Sequence, residues 1–127
     1  MINILVIDSN PEITNTLTLV LSSTSSRVQT AHDGRYGLQL LRNYPFDVVI
    51  TDIIMPVSNG FDVIKAVNRM NPRPRVIVIT GGTSRLSREY LSRVASYMNV
   101  KHVLYKHFRI AELLAAVFSD DAHSAAA

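Results

Sequence analysis

Five apolar, strand-like runs alternate with five stretches of helical periodicity along this chain of 127 residues. Runs that are apolar at nearly every position are typical of strands buried on both faces of a parallel sheet. The expected strands are residues 2–7, 27–31, 47–51, 75–80 and 100–105. This alternation predicts an α/β fold, (βα)5: a doubly wound five-stranded parallel sheet with the flavodoxin-like strand order 2-1-3-4-5.

Helix-start signals separate the strands. Asn10 is a preferred N-cap residue and Pro11 is favoured at the first helical position, so they predict the start of the first helix. The other helices are expected from Asp33-Gly34 to residue 44, at residues 61–70, from a cap at Ser84, and at residues 108–118. Apolar residues at helical spacing are expected to pack inward from these helices, and Tyr44, Tyr90, Ile110 and Phe118 are among them.

The length suits a single domain with one core, which we expect over residues 1–119, followed by a flexible tail at residues 120–127. The chain has no cysteine, which excludes a disulfide scaffold and a thiolate metal site and fits a cytoplasmic location. No basic segment precedes the first strand and no apolar run approaches the ~20 residues of a membrane span, so neither a signal peptide nor a membrane helix is expected.

Charge is distributed unevenly along the chain. Residues 1–63 carry three Arg against six acidic residues (net −3), whereas residues 64–127 carry ten basic against four acidic residues (net +6). A basic half can form a docking surface for an acidic partner or nucleic acid, or simply solvated helix faces. Because the basic residues are interspersed with Ser and apolar residues, we favour solvated faces and expect no direct binding of nucleic acid.

Polar residues end four of the expected strands, and all these ends lie on one edge of a parallel sheet. They are Asp8, Asp52, Thr80 and Lys106. Two neighbouring carboxylates repel unless a cation intervenes, and Mg²⁺ prefers such oxygen ligands. A carboxylate can accept a phosphoryl group, while a metal ion and Lys neutralise charge on the transferring oxygens.

Each of these residues also has an ordinary structural explanation. An Asp after a strand often forms a turn or caps a helix, Thr80 is a good strand residue, and a single Lys is usually at the surface. Their joint placement on one edge favours the functional interpretation. The four His residues show no metal-ligand spacing.

The residues that carry these signals resemble the receiver domains of two-component response regulators over about residues 2–118. The similarity lies in the run from Ile4 to Asp8, in Asp33-Gly34, in the D-x-x-M-P segment that begins at Asp52 with Gly60 four residues after the Pro, in residues 76–80, and in Lys106 with Phe108.

The resemblance implies a signalling receiver and not an enzyme, since it would catalyse only its own phosphoryl transfer and dephosphorylation. Asp52 would be the phosphoacceptor, with Thr80 and Lys106 binding the phosphoryl oxygens. Asp8, Asp52 and the backbone carbonyl of Ile54 would hold Mg²⁺. The phosphodonor would be a histidine kinase or a phosphotransfer protein. Phosphorylation would switch the surface of the fourth helix, fifth strand and fifth helix, through which the domain would act on a downstream effector or form a homodimer.

Three residues depart from the family pattern. Ser9 stands in place of a second acidic metal ligand, so weaker Mg²⁺ binding is expected. His107 replaces a Pro that follows the Lys through a cis bond. Because a cis bond before a non-proline residue costs about 2.5–4 kcal/mol, a trans or strained bond is expected, which could displace Lys106. Val103 replaces the switch aromatic, and Tyr105 should face away from Leu104 and Lys106.

Three hypotheses follow. The first is a phosphorylatable receiver. The second, based on Ser9, Val103 and His107, is a degenerate receiver that binds other proteins independently of phosphorylation. The third is a flavodoxin-like cofactor enzyme, but the loop from Ser9 to Glu12 is short and acidic and would repel a phosphate monoester.

Overall fold

The protein is a three-layer α/β domain built on one parallel sheet. The structure, a computed structural model, describes residues 1–53, 55, 60–81 and 88–119. The elements in order are β1 (Asn3–Ile7), α1 (Pro11–Ser22), β2 (Arg27–Ala31), α2 (Gly34–Asn43), β3 (Val48–Asp52), α3 (Gly60–Asn68), β4 (Arg75–Thr80), α4 (Arg88–Tyr97), β5 (His102–Tyr105) and α5 (Ile110–Val117). The strands are parallel and ordered β2-β1-β3-β4-β5, which confirms the predicted fold class and strand order.

Alternate side chains of the central strands supply two cores, one on each face of the sheet. In β1, Ile4 and Val6 pack with α1 and α5, whereas Leu5 and Ile7 pack with α2, α3 and α4. The central strands are therefore apolar at consecutive positions because water reaches neither face. The first polar position after β1 is Asp8, which places its carboxylate at the rim of this dry core.

The predicted helix starts of α1 and α2 are confirmed. The side chain of Asn10 accepts a hydrogen bond from the backbone N–H of Glu12 (3.0 Å), and Pro11 begins α1. The side chain of Asp33 accepts one from the N–H of Tyr36 (2.8 Å). Each cap satisfies a backbone donor that the first helical turn cannot pair internally.

The predicted inward packing of four bulky residues is wrong. Tyr44 (52% exposed), Tyr90 (50%), Ile110 (53%) and Phe118 (46%) all face solvent to a large extent. Tyr44 has extended backbone angles and lies beyond the last turn of α2, which removes it from the helical stripe. Ile110 and Phe118 lie at the two ends of α5, outside its buried stripe.

Several predicted boundaries shift by one or two residues, and α5 is shorter at its N-terminal end than the expected 108–118. None of the described helices is long and apolar enough to cross a membrane. The cap predicted at Ser84 and the tail predicted at residues 120–127 lie outside the described residues.

Candidate functional site

Parallel pairing of β1 with β3 brings two aspartates to the same edge of the sheet. Ile7 is in register with Thr51, so the residues that follow them, Asp8 and Asp52, are neighbours. Asp8 is fully buried and Asp52 is only 6% exposed. Two carboxylates so deprived of water require compensating positive charge or donors.

Lys106 supplies that charge. Its Nζ lies 3.2 Å from Oδ2 of Asp52 and 3.3 Å from Oδ2 of Asp8, so one ammonium bridges both carboxylates. Partial burial alone lowers the pKa of Lys106, but attraction from Asp52 and then Asp8 outweighs it and raises that pKa above its usual value. Lys106 is therefore a cation throughout the neutral range.

Backbone amides hold the other carboxylate oxygens. The N–H of Asn10 donates to Oδ1 of Asp8 (2.9 Å), and the N–H of Ile53 donates to Oδ1 of Asp52 (2.7 Å). These contacts fix both carboxyl groups with their Oδ2 atoms towards Lys106. The sequence did not predict these contacts, because a backbone amide carries no side-chain signal.

Gly60 lies directly against the backbone of Asp52 and Ile53. Its N–H donates to the carbonyl oxygen of Ile53 (2.7 Å). A Cβ at this position would overlap the carbonyl oxygen of Asp52 and lie only 2.9 Å from Cα of Ile53. Position 60 therefore needs glycine because the start of α3 packs directly on the backbone that carries the phosphoacceptor candidate. The sequence pattern marked Gly60 only as part of the family-like segment and gave no physical reason for a glycine there.

The donor set suits a hard divalent cation such as Mg²⁺. Oδ2 of Asp8 is buried and has an ion pair with Lys106 but no directed hydrogen bond, and the two carboxylates with one ammonium leave a net charge of −1. Carboxylate oxygens are the ligands that Mg²⁺ takes in proteins. Ser9 is exposed and offers no charge, and the described residues contain no cluster of three potential metal-binding acidic, His or Cys side chains. The predicted ligand Ile54 lies outside the described residues.

Thr80 and His107 flank Lys106. Thr80 ends β4, is 1% exposed, and accepts the N–H of Lys106 at its backbone carbonyl (2.7 Å). The cis peptide bond found among the described residues is Asn71–Pro72, so Lys106 and His107 are joined by a trans bond, as expected. His107 has a positive φ of 71°, a region that costs free energy for most residues. The expected displacement of Lys106 is wrong, because its hydrogen bond to Thr80 and its two ion pairs hold it in the site.

Tyr105 and Val103 share one face of β5. Both pack against the core on the α2–α4 side, whereas Leu104 packs on the opposite side, which confirms the predicted orientation of Tyr105. The hydroxyl of Tyr105 lies 2.9 Å from Oγ of Ser92 in α4. This contact between β5 and α4 was not predicted, since the separation of the two residues in sequence gives no sign of it.

Comparison with known proteins is consistent with this arrangement. Residues 4–118 match the family model described as "Response regulator receiver domain". Response regulator GtcR of Aneurinibacillus migulanus is 37% identical over 59% of this chain and 31% of its own length. Transcriptional regulatory protein CpxR of Escherichia coli K12 is 36% identical over 69% of this chain and 37% of its own. The matches therefore span about a third of the length of these relatives.

Solved structures give the same result. Chemotaxis protein CheY4 of Vibrio cholerae is 31% identical, with a TM-score of 0.77 over 90% of this chain and 93% of its own. Response regulator TrrA of Thermotoga maritima, solved in complex with Mg²⁺-BeF, is 28% identical, with a TM-score of 0.78 over 92% and 96% of the two chains. A CheY-like receiver domain of Methanospirillum hungatei has a TM-score of 0.86 over 100% and 99% at 20% identity, which supports the fold. The chain belongs to the family of response regulator receiver domains.

Proposed function

We propose that this domain accepts a phosphoryl group on Asp52 and later loses it to water. The observation that supports this most strongly is the ammonium of Lys106 between two buried carboxylates at the carboxyl edge of the sheet. A buried carboxylate held by directed donors, with a cation beside it, is suited to attack an electrophile whose oxygens are negatively charged.

In the proposed reaction, a carboxylate oxygen of Asp52 forms a bond to the phosphorus of the donor. The bond from that phosphorus to the donor's leaving atom breaks, and the leaving group departs with the electron pair. The product is an acyl phosphate. Lys106 and the hydroxyl of Thr80 stabilise the phosphoryl oxygens. Attack by water on the phosphorus then returns the carboxylate and releases inorganic phosphate, so the domain catalyses only its own phosphorylation and dephosphorylation.

Mg²⁺ would be held by Asp8 and Asp52, with the Ile54 carbonyl as a further ligand and Ser9 as a weak one. When bound, it neutralises charge between the carboxylates and the incoming group. Asp8 contributes the buried Oδ2, which has an ion pair with Lys106 but no directed hydrogen bond. Ser9 contributes no charge, so Mg²⁺ binds more weakly than it would to three carboxylates.

The phosphodonor is a histidine kinase or a phosphotransfer protein in the cytoplasm. The output surface comprises α4, β5 and α5, where Tyr90 and Tyr97 are exposed on one helix. Through this surface the domain acts on a downstream effector or forms a homodimer. Aromatic side chains exposed in this way are typical of protein interfaces.

Phosphorylation can be tested with a small donor. The protein is incubated with acetyl phosphate and Mg²⁺ and the intact mass is measured. We expect one added phosphoryl group on the wild type and on Asp62→Asn, which changes an exposed aspartate of α3. We expect none on Asp52→Asn. An unmodified wild type, or an equal addition on Asp52→Asn, contradicts the proposal.

A second function, a degenerate receiver that binds a partner without phosphorylation, is favoured by one observation: the exposed, uncharged Ser9. A Mg²⁺ titration followed by calorimetry separates the two. If Ser9→Asp binds Mg²⁺ about tenfold or more tightly than wild type, the pocket is otherwise sound and weak metal binding is due to Ser9. If neither protein binds the metal, the degenerate receiver is the better description.

A further inference from the structure

Helix α4 is weakly anchored to the rest of the domain. Leu91 and Ala95 are its buried residues among those described, and most of its other side chains face solvent. A helix with so small a buried stripe can shift without opening the main core. A specific side-chain contact to the sheet therefore has a large influence on where this helix lies.

The contact between Tyr105 and Ser92 is such a link. The phenol oxygen of Tyr105 lies 2.9 Å from Oγ of Ser92, which joins β5 to α4 at the surface. The ring of Tyr105 is half-buried and packs with the core on the α4 side. The rigid ring spans the distance from the strand to the helix at little cost in conformational entropy, because only two side-chain torsions must be fixed.

The backbone of Tyr105 is also connected to the phosphoacceptor site. It is in register with Thr80 across the β4–β5 ladder and directly precedes Lys106. Lys106 in turn contacts Asp8 and Asp52. A continuous path of ion-paired, covalently bonded and hydrogen-bonded groups therefore runs from the two carboxylates through Lys106 and Tyr105 to Ser92.

From this path we infer that the Tyr105–Ser92 hydrogen bond transmits the state of Asp52 to α4. The inference rests on the proposed phosphorylation of Asp52. A phosphoryl group adds negative oxygens that draw Lys106 away from Asp8. The shift passes along the backbone to Tyr105, the bond to Ser92 is released, and α4 loosens. In the family pattern the switch aromatic stands at position 103, two residues before Tyr105, but here that residue is Val. Tyr105 is the next residue of β5 that faces the α4 side, so the aromatic link in this chain lies one inward-facing position nearer the site.

The test measures hydrogen–deuterium exchange of the α4 amides, with and without acetyl phosphate and Mg²⁺, beside the intact mass. In the wild type we expect exchange in α4 to become about three- to tenfold faster on phosphorylation, the range that corresponds to loss of one neutral hydrogen bond. Tyr105→Phe and Ser92→Ala should still take up the phosphoryl group. Both should show the faster α4 exchange already without it, and little further change with it.

Two control variants change the same groups elsewhere on α4. Tyr97→Phe removes a phenol hydroxyl from a residue that is 92% exposed, and Ser96→Ala makes the same change in helix propensity as Ser92→Ala at another exposed position. Both should respond like the wild type.

The outcomes are distinguishable. No mass addition on the wild type refutes the proposed phosphorylation and the inference with it. Mass addition with an unchanged α4 in the wild type, or with a full α4 response in Tyr105→Phe and Ser92→Ala, refutes the link alone.

Discussion

Substituting Gly60 by Ala tests whether the start of α3 supports the phosphoacceptor site. The added methyl would overlap the carbonyl oxygen of Asp52 and approach Cα of Ile53 to 2.9 Å. Both obstacles are backbone atoms, so no side-chain rotation relieves the overlap. Overpacking of this kind costs roughly 1–3 kcal/mol, and we expect about 2 kcal/mol. In a domain of this size, that loss lowers the melting temperature by roughly 6–10 °C.

The same substitution should also impair the site. Gly60 donates its N–H to the carbonyl of Ile53, whose own N–H holds Oδ1 of Asp52. Moving the start of α3 away from β3 therefore loosens the donor that orients the carboxylate. We expect Gly60→Ala to take up a phosphoryl group from acetyl phosphate about tenfold more slowly than wild type, since loss of one hydrogen bond to a charged group is worth about 1.5 kcal/mol or more.

Gly81→Ala is the matched control. Among the described residues, a Cβ at Gly81 meets Cδ of Lys106 at an ordinary 3.8 Å. Because Ala restricts the unfolded chain more than Gly does, this variant should be as stable as wild type or up to about 1 kcal/mol more stable. Thermal unfolding followed by circular dichroism measures both variants. If Gly60→Ala and Gly81→Ala both have the melting temperature of the wild type, the packing argument is wrong.

Three further predictions concern charge and helix ends. Because the folded pKa of Lys106 is raised, its contribution to stability is complete below about pH 10.5, its ordinary pKa, and is lost as pH rises through the folded value. Between pH 8 and pH 11, the free energy of urea unfolding should therefore fall less in Lys106→Met than in the wild type. An equal fall in both proteins would contradict the ion pairing of Lys106. Arg75 donates hydrogen bonds to two backbone carbonyls at the end of α5 (both 3.1 Å). Arg75→Met should therefore lower the free energy of urea unfolding by roughly 1–2 kcal/mol, and an unchanged unfolding midpoint would contradict this. Asp33→Ala removes the α2 cap and should cost about 1 kcal/mol in the same assay, whereas Asp33→Asn should retain most of it.

The features that the sequence predicted well depend on local chemistry or on periodicity. Asn10 and Asp33 cap helices because a short polar side chain next to a helix start can reach its free N–H groups. The central strands are apolar at successive positions, which occurs only where helices cover both faces of a sheet. Strand order then follows from the few topologies that right-handed crossovers allow.

The exposure of Tyr44 and Tyr90 could not be predicted from helical spacing. Tyrosine has an apolar ring and a polar hydroxyl, so a position at the edge of a helix stripe allows the ring to lie partly in solvent. Tyr90 precedes the buried Leu91 by one residue and therefore points about 100° away from it around α4. Tyr44 is the C-cap of α2, where extended backbone angles turn its side chain away from the helical stripe. Hydrophobicity alone does not distinguish these positions from core positions.

Apart from the backbone carbonyl of Ile54, the site was predicted as a set of side chains, but its geometry depends on main-chain groups. The amides of Asn10 and Ile53 orient the carboxylates, and the carbonyl of Thr80 positions Lys106. Every residue except Pro has such an amide and carbonyl, so their roles depend on the path of the backbone and not on residue identity. Gly60 is the exception, because the need to omit a side chain selects one residue type.

The departures from the family pattern differ in kind, and the structure separates them. His107 in place of Pro is a geometric departure, and the sheet compensates for it: the N–H of Lys106 is bound by Thr80 and its ammonium by two carboxylates, so the proline ring is not needed to place it. Ser9 in place of an acid is an electrostatic departure. No backbone contact can restore a missing negative charge, and the nearest carboxylates already share one ammonium. Competence for phosphorylation should therefore depend on Mg²⁺ affinity rather than on the position of Lys106. For the same reason, restoring the charge with Ser9→Asp should change the behaviour of this domain more than restoring the ring with His107→Pro.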